Sequence, residues 1–289
     1  NKIQKQLDRR RPGQSKLTTP RNEPDKLELL SGMERELTLG TPLAFRVKNK
    51  DTRPEDYIFD QNEYLARPSH SDLTYIWKYG IHSASGGGRS SARETIGRVI
   101  GGSVAEQILN KYNCQIIAFV SQIGNIKLNL DYKNISNLTR EEIDRFLTRC
   151  PNSTISEKME NTILKLKQQG DSIGGKVTCL VKNVPRGLGE PVFNKVEAML
   201  AHAMLSIPAT KGFEIGSGFN CIEQKGSQHN DAWLNRDGYI TTLTNNNGGV
   251  IGGITNGEPI IFSVAFKPPA TINIKQKTVN LKGEERILK

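Results

Sequence analysis

Long apolar runs are missing from this 289-residue chain. None approaches the roughly 20 residues that span a bilayer. The polar, charged start Asn1 to Arg11 is no signal peptide, so no membrane association is expected and a cytosolic location is the default. Cysteine is scarce. Cys114, Cys150, Cys179 and Cys221 lie far apart with no C-x-x-C pair, which excludes a zinc ribbon or a redox dithiol and makes buried reduced thiols the expectation. No metal site is expected. No repeat of solenoid period is visible. Acidic residues are in deficit, 30 against 40 Lys and Arg, for a formal charge of +10. That balance favours an anionic partner: nucleic acid, a membrane surface or a small polyanion. Aromatic residues are absent from the most basic stretch, residues 8 to 21, which weakens the nucleic-acid reading because no base could stack there.

Glycine is plentiful and concentrated. Gly86-Gly87-Gly88-Arg89-Ser90-Ser91-Ala92-Arg93-Glu94-Thr95 reads as an anion site at a helix start. The glycines let a ligand approach the backbone, the first helical turn offers free N–H groups, and Arg89 and Arg93 add full charges. Ser91 and Glu94 have capping-box spacing. Ile96, Val99, Ile100, Val104 and Ile108 form the apolar stripe behind, and Gly97, Gly101 and Gly102 within it imply close packing against another element. The alternative is a glycine-rich loop before an ordinary buried helix.

Residues 8 to 21 combine five basic residues with two prolines and a glycine and read as a mobile loop. Leu37 to Val47 has strand character, Arg53 to Tyr57 is a turn, and Ala66 to Asp72 is a loop holding His70, an acid/base candidate. Cys114 to Ile123 reads as a strand. Thr139 and Glu142 open a helix that Pro151 should end, and a helix from near Ser156 should stop at Gly170. Gly170 to Lys176 matches most of a Walker A loop, but Val177 takes the hydroxyl position and a strand follows, so triphosphate binding is rejected. Lys176 to Val184 alternates as a strand, Asn194 to Ser206 is an amphipathic helix with His202 at its edge, and His229 falls in an exposed loop. Asn245 to Glu258, a second glycine cluster, reads as ligand-facing backbone. Pro259 to Phe266 is a strand leading into the Lys267 to Thr271 loop. Strands without regular βαβ alternation make the class α+β.

Taken together, Arg9 to Arg21, Leu39 to Tyr57, Arg67 to Tyr79, Gly86 to Gly102, Asp171 to Gly175, Gly187 to Pro191, Ala198 to Gly218, Asn245 to Glu258 and the Lys267 loop resemble chorismate synthase. Arg67 to His70, Ser206 to Ala209 and Asn245 to Gly249 resemble the fungal and protozoan members most. The resemblance covers nearly the whole chain and implies one domain over residues 1–289 with a β-α-β sandwich fold, helices between two antiparallel sheets, in a cytoplasmic homotetramer that binds neither membrane nor nucleic acid. It implies a lyase of the shikimate pathway that converts 5-enolpyruvylshikimate 3-phosphate to chorismate by anti 1,4-elimination of phosphate with reduced FMN. It leaves open whether NADPH serves as reductant, as in the bifunctional members.

By the same resemblance Arg10, Lys16, Arg67 and Arg93 meet the substrate, with Lys16 standing where many members carry Arg and so lacking the planar fork. His70 matches the histidine thought to protonate or stabilise the reduced flavin. Arg89, Ser90, Ser91, Pro208, Ala209, Gly252 and the loop Lys267, Pro268, Pro269, Ala270 and Thr271 match flavin-contacting positions, Pro208 replacing a common Asn. Arg10 is open to either ligand, since the family's basic arm is also described as contacting NADPH. The family's Gly-Glu-Ser-His and Arg-His-Asp motifs have no counterpart here, so the chain is expected to be part of a longer protein. A non-catalytic family member that binds or scaffolds is the alternative, and a basic nucleic-acid-binding protein is a third reading.

Overall fold

In the computed structural model of the chain, residues 2–51, 64–82, 88–129 and 135–288 are described. The Arg53 to Tyr57 turn and Gly86 and Gly87 of the first glycine cluster lie outside them. The chain opens with α1 (Lys2–Arg10), followed by β1 (Leu27–Ser31), β2 (Met33–Glu34), β3 (Leu37–Thr38) and β4 (Ala44–Val47). Then come α2 (Asp72–Tyr79) and α3 (Thr95–Leu109). Strands β5 (Gln115–Ile123) and β6 (Ile126–Lys127) precede α4 (Arg140–Asp144), α5 (Ser153–Gln168), β7 (Gly175–Lys182), α6 (Val196–Leu205) and β8 (Thr210–Ile215). A short α7 (Gly226–His229) leads to the hairpins β9 (Trp233–Arg236) with β10 (Tyr239–Thr242) and β11 (Val250–Ile251) with β12 (Ile254–Thr255). After β13 (Ile260–Phe266) the chain ends in the hairpin of β14 (Gln276–Val279) and β15 (Glu285–Leu288). The contacts divide these elements into two compact units, residues 1–108 with 275–289, and residues 109–274. Helices with antiparallel sheets make the class α+β, as expected.

In the first unit, Ile3 and Leu7 stand one helical turn apart on α1 and give it one apolar side. Leu7 is fully buried with Ile96 and Ile100 of α3, flanked by Leu27, Phe45 and Val47 of the antiparallel β1–β4 pair. The basic loop expected from residue 8 therefore begins later. Asp8, Arg9 and Arg10 complete the helix that Leu7 anchors, the Arg11 N–H still donates to the Leu7 carbonyl at 2.8 Å, and Pro12 ends the run. The expected stripe on α3 is half realised. Ile96 and Ile100 are buried and Val99 packs beside them, whereas Ile108 is exposed. Gly97, Gly101 and Gly102 do not mark close packing: a Cβ at any of them would meet nothing among the described residues.

The second unit is built on a five-stranded sheet in the order β6-β5-β7-β13-β8, antiparallel at every junction. Register puts Ile116, Val181 and Ile260 side by side on one face and Ile117, Leu180 and Ile261 on the other. The first face packs against Val196, Leu200 and Met204 of α6, the second against Ile135, Leu138 and Ile143 at α4. Both faces are thus covered, which accounts for the nearly continuous apolar run of β13. Beside Phe119, the Thr178 hydroxyl lies 2.7 Å from Ser121 Oγ and 2.9 Å from Ser263 Oγ, so the buried hydroxyls satisfy one another.

Local signals located most boundaries here. The capping box between Thr139 and Glu142 is formed, and Gly170 adopts φ +74° after α5. Helix α4 ends at Asp144, well before Pro151, because Phe146 to Arg149 turn back until the Arg149 carbonyl accepts the Val120 N–H of β5 at 3.0 Å. Gly175 begins a strand and Lys176 pairs with Glu214 at 3.2 Å, in keeping with the rejected Walker reading. Cys114, Cys150 and Cys179 are buried thiols, with burial pushing Cys179 up to about 12, but Cys221 is exposed.

Candidate active site

The packing of Leu7 on Ile96 and Ile100 lays the last turn of α1 against the start of α3, and this brings two distant arginines together. Arg10 donates from Nη2 to the Ala92 carbonyl at 3.2 Å and to Thr95 Oγ1 at 3.1 Å, and from Nη1 to Asp25 Oδ2 at 3.2 Å. Arg93 approaches the other oxygen of the same carboxylate, its Nη2 lying 3.2 Å from Asp25 Oδ1, while its Nη1 is 3.6 Å from Glu23 Oε1. Arg93 Nη2 also donates to the Lys48 carbonyl at 3.0 Å. Glu23 and Asp25 are 2% and 0% exposed, and Glu23 further accepts the backbone N–H groups of Lys50 and Asp51 at 3.1 and 3.0 Å. A carboxylate buried alone would cost several kcal/mol. Two carboxylates facing two guanidiniums make a neutral cluster that can be buried, with the arginine side chains 21% and 24% exposed at its edge. Lys16 is exposed in the irregular segment beyond α1.

The helix start differs from its expected form. Ser91 caps a short 3-10 turn over Ala92–Glu94, its hydroxyl accepting the Arg93 N–H at 3.3 Å, and α3 begins only at Thr95. No capping box forms. The Glu94 carboxylate instead accepts from Arg89 Nη1 at 2.8 Å, because the preceding 3-10 turn over Gly88–Ser90 places that guanidinium within reach. Arg89 is otherwise solvent-facing, with its side chain 86% exposed, while Ser90 and Ser91 are half-buried.

Arg67 lies before α2 and is held on a fork. Its Nε and Nη2 donate to the two oxygens of Asp72 at 2.9 and 2.8 Å, and its backbone N–H adds a bond to Oδ2 at 3.1 Å. Burial pushes the Asp72 carboxyl up, but the bonds from Arg67 and the Arg67 charge outweigh it and the net direction is down. Burial and the same carboxylate push the Tyr64 phenol well above its usual range. His70 Nδ1 is 3.0 Å from the Pro68 carbonyl. A carbonyl only accepts, so Nδ1 carries the proton in this bond and, in the neutral ring, Nε2 carries the lone pair. A cavity of about 450 Å³ opens here, lined by Arg67, His70, Trp77, Lys277 and Glu285 among others.

A pH dependence follows from this fork. A depressed carboxyl contributes stability above its unfolded value, here an ordinary 3.8, and loses it as pH falls through the folded value. Acid titration of the unfolding midpoint should show a limb below about pH 5, and Asp72→Asn should lower neutral-pH stability by about 2 kcal/mol while flattening that limb. An unchanged acid limb in the variant would remove Asp72 from the account.

In the second unit the Lys267 N–H donates to the Ala209 carbonyl at 3.0 Å, which joins Pro208 and Ala209 to the Lys267 to Thr271 loop. Ala209 has φ +69°. The loop is held from behind by Ser172 Oγ, which donates to the Pro269 carbonyl at 2.7 Å, and by Gly174, where a Cβ would stand 2.7 Å from the Phe266 carbonyl oxygen. Gly252, at φ +63° and exposed, opens the turn between β11 and β12, and a Cβ there would meet nothing among the described residues.

The Asn245 to Glu258 cluster is not ligand-facing throughout. Asp231, 9% exposed, accepts the backbone N–H groups of Asn246 and Asn247 at 2.8 and 2.9 Å, the Asn247 amide at 2.7 Å and the Thr244 hydroxyl at 2.6 Å. The anion this loop cradles is its own. His229 likewise is half-buried, its Nε2 3.0 Å from Ser217 Oγ, because α7 turns it inward; His202 is exposed on α6. Sequence reasoning missed Glu23, Asp25 and Asp231. The available signal was a pair of acidic residues just after a strongly basic run.

The chorismate synthase family profile matches residues 1–289. A chorismate synthase of Prochlorococcus marinus (strain MIT 9215) is 55% identical over 292 residues, covering 100% of this chain and 79% of that protein. A chorismate synthase of Saccharomyces cerevisiae is 55% identical over 296 residues, covering 99% of the chain and 78% of the relative. A crystal structure of chorismate synthase superposes with a TM-score of 0.75 at 30% identity, over 93% of this chain and 76% of that one.

Proposed function

This chain belongs to the chorismate synthase family, and on that premise we propose which of its residues carry the reaction. The reaction is a lyase step of aromatic amino acid biosynthesis, the anti 1,4-elimination of phosphate from 5-enolpyruvylshikimate 3-phosphate. Two carboxylates and a phosphate make the substrate a polyanion, which suits guanidinium groups at a partly dehydrated site. We assign Arg10 and Arg93, held together at the start of α3, to substrate binding. Arg67, preset by its fork to Asp72, and Lys16 on the basic segment serve the same ligand. His70 handles a proton at Nε2, with its ring oriented by the Pro68 carbonyl. The observation carrying this reading is the convergence of Arg10 and Arg93 on one carboxylate, within a chain that the family matches from end to end.

The residues matching the family's flavin positions fit a reduced FMN. Within the second unit the Ala209 and Lys267 segments are hydrogen-bonded to each other, and Gly252 offers open backbone. Pro208, Ala209, Gly252 and Lys267 to Thr271 would hold it within this unit; Arg89, Ser90 and Ser91 are assigned to the same cofactor by the family match alone. The flavin supplies reducing chemistry; the chain's own residues bind the anion, orient it and move the proton. One family match across both units supports reading residues 1–289 as a single domain. A homotetramer and a cytoplasmic location are proposed with it. Among the described residues no helix is long and apolar enough to cross a membrane.

An oxygen-free phosphate-release assay with photoreduced FMN tests the reading, and release that depends on the reduced flavin is the expected result. Absence of release from folded, flavin-loaded protein would overturn the assignment. The same assay with NADPH as sole reductant tells whether the chain reduces its own flavin.

A further inference from the structure

The two carboxylates beneath Arg10 and Arg93 were given no role of their own in the assignment above. Asp25 is fully buried and faces a guanidinium with each oxygen: Oδ2 accepts a hydrogen bond from Arg10 at 3.2 Å, and Oδ1 stands 3.2 Å from Arg93 Nη2 in an ion pair without hydrogen-bond geometry. Its own backbone is set at φ +42°, and its carbonyl accepts from Gln4 of α1 at 3.2 Å. Glu23 stands behind Arg93 at 3.6 Å and is tied down by the Lys50 and Asp51 N–H groups at 3.1 and 3.0 Å. Two guanidiniums this near would repel and spread if nothing lay between them. A carboxylate spreads its negative charge over both oxygens and can hold a cation at each, here one through a hydrogen bond and one through charge; an amide of the same shape is neutral and turns N–H₂ toward one of the two.

We propose that Asp25, supported by Glu23, is a positioning residue for the reaction, a buried bridge that sets the separation and direction of Arg10 and Arg93 so that they meet the anionic substrate as a preformed pair. It touches neither substrate nor flavin. The inference rests on the assignment of Arg10 and Arg93 to substrate binding. It makes a prediction opposite to simple electrostatics. If Asp25 merely competed with the substrate for the two cations, neutralising it would strengthen binding. If it positions them, neutralising it weakens binding, although the site becomes more positive.

The test is steady-state phosphate release with reduced FMN in the full chain, comparing the parent with Asp25→Asn, Glu23→Gln and Arg10→Ala, with FMN affinity measured by flavin fluorescence and folding by circular dichroism. In Asp25→Asn the KM for 5-enolpyruvylshikimate 3-phosphate should rise about tenfold or more, with FMN affinity unchanged. Glu23→Gln, a milder change at the longer contact, should raise KM about threefold; it decides the matter if Asp25→Asn does not fold. A KM unchanged or lowered in the folded Asp25→Asn variant, or in Glu23→Gln where that variant has to stand in, overturns the positioning role. If Arg10→Ala raises KM while the acidic variants do not, substrate binding by the arginines stands and the bridge alone fails. If Arg10→Ala leaves KM unchanged, the substrate assignment fails and the bridge with it.

Discussion

Replacing His70 by alanine is expected to slow phosphate release by about a hundredfold or more at saturating substrate, the ordinary worth of a positioned proton-transfer group. The bond between Nδ1 and the Pro68 carbonyl at 3.0 Å orients the ring, and that bond stays within its own loop. Removal of the imidazole takes away Nε2, and because the ring is only half-buried the loss should fall on turnover more than on folding, which circular dichroism checks. Single-turnover release under anaerobic conditions, with reduced FMN supplied in excess, separates the chemical step from substrate binding. A deficit smaller than about threefold in folded protein would take His70 out of the proton-handling role.

The second large effect concerns stability. Gly216 follows β8 at φ +59°, and a Cβ there would fall 2.1 Å from the Asn246 carbonyl oxygen and 2.7 Å from the Gly248 nitrogen. Both neighbours are backbone and cannot swing aside. Gly216 donates its N–H to Ile261 at 2.8 Å and Ser217 donates to Asn246 at 2.8 Å, so the clash would prise the Asn245 to Gly249 loop from the sheet. Gly216→Ala should cost about 3–5 kcal/mol, the left-handed backbone contributing about 1–2 and overpacking the rest. Gly238, at φ +85° with nothing near its absent Cβ, is the comparison. Its alanine variant should lose only the backbone share, about 1–2 kcal/mol. Denaturant midpoints for the two proteins decide the point, and equal losses would mean that the close approach at Gly216 carries no energy of its own.

The second glycine cluster and the glycines of α3 show where reading along the chain stopped working. The cluster invited the inference of a backbone opened for a ligand. In the Asn245 to Glu258 stretch the requirement for positive φ was real, at Gly248, Gly249, Gly252, Gly253 and Gly257, but the carboxylate received by the loop is Asp231. Nothing local announces that partner, because Asp231 lies across a hairpin from the asparagines it binds. On α3 the glycines suggested a tight neighbour, and none stands there among the described residues. A glycine reports that a side chain is absent; only the surroundings say what the vacancy serves.

Signals carried by a few adjacent atoms read true. The Thr139 and Glu142 cap, the left-handed Gly170 and the strand from Ile260 to Phe266 depend on bonds or alternation spanning a few residues, so residue order suffices to place them. An excess of cations and arginine-rich loops called for an anionic partner whatever the fold, and the family resemblance, not the charge, narrowed it to a small polyanion. Which cations act together was not legible in this way. Arg10 and Arg93 lie far apart in the sequence, and they share Asp25 because Leu7 buries itself on Ile96 and Ile100 and carries the end of α1 to the start of α3. Burial of that apolar contact is non-directional and acts between residues far apart in the chain, and the pairing of charges it imposes exists only once the helices have packed.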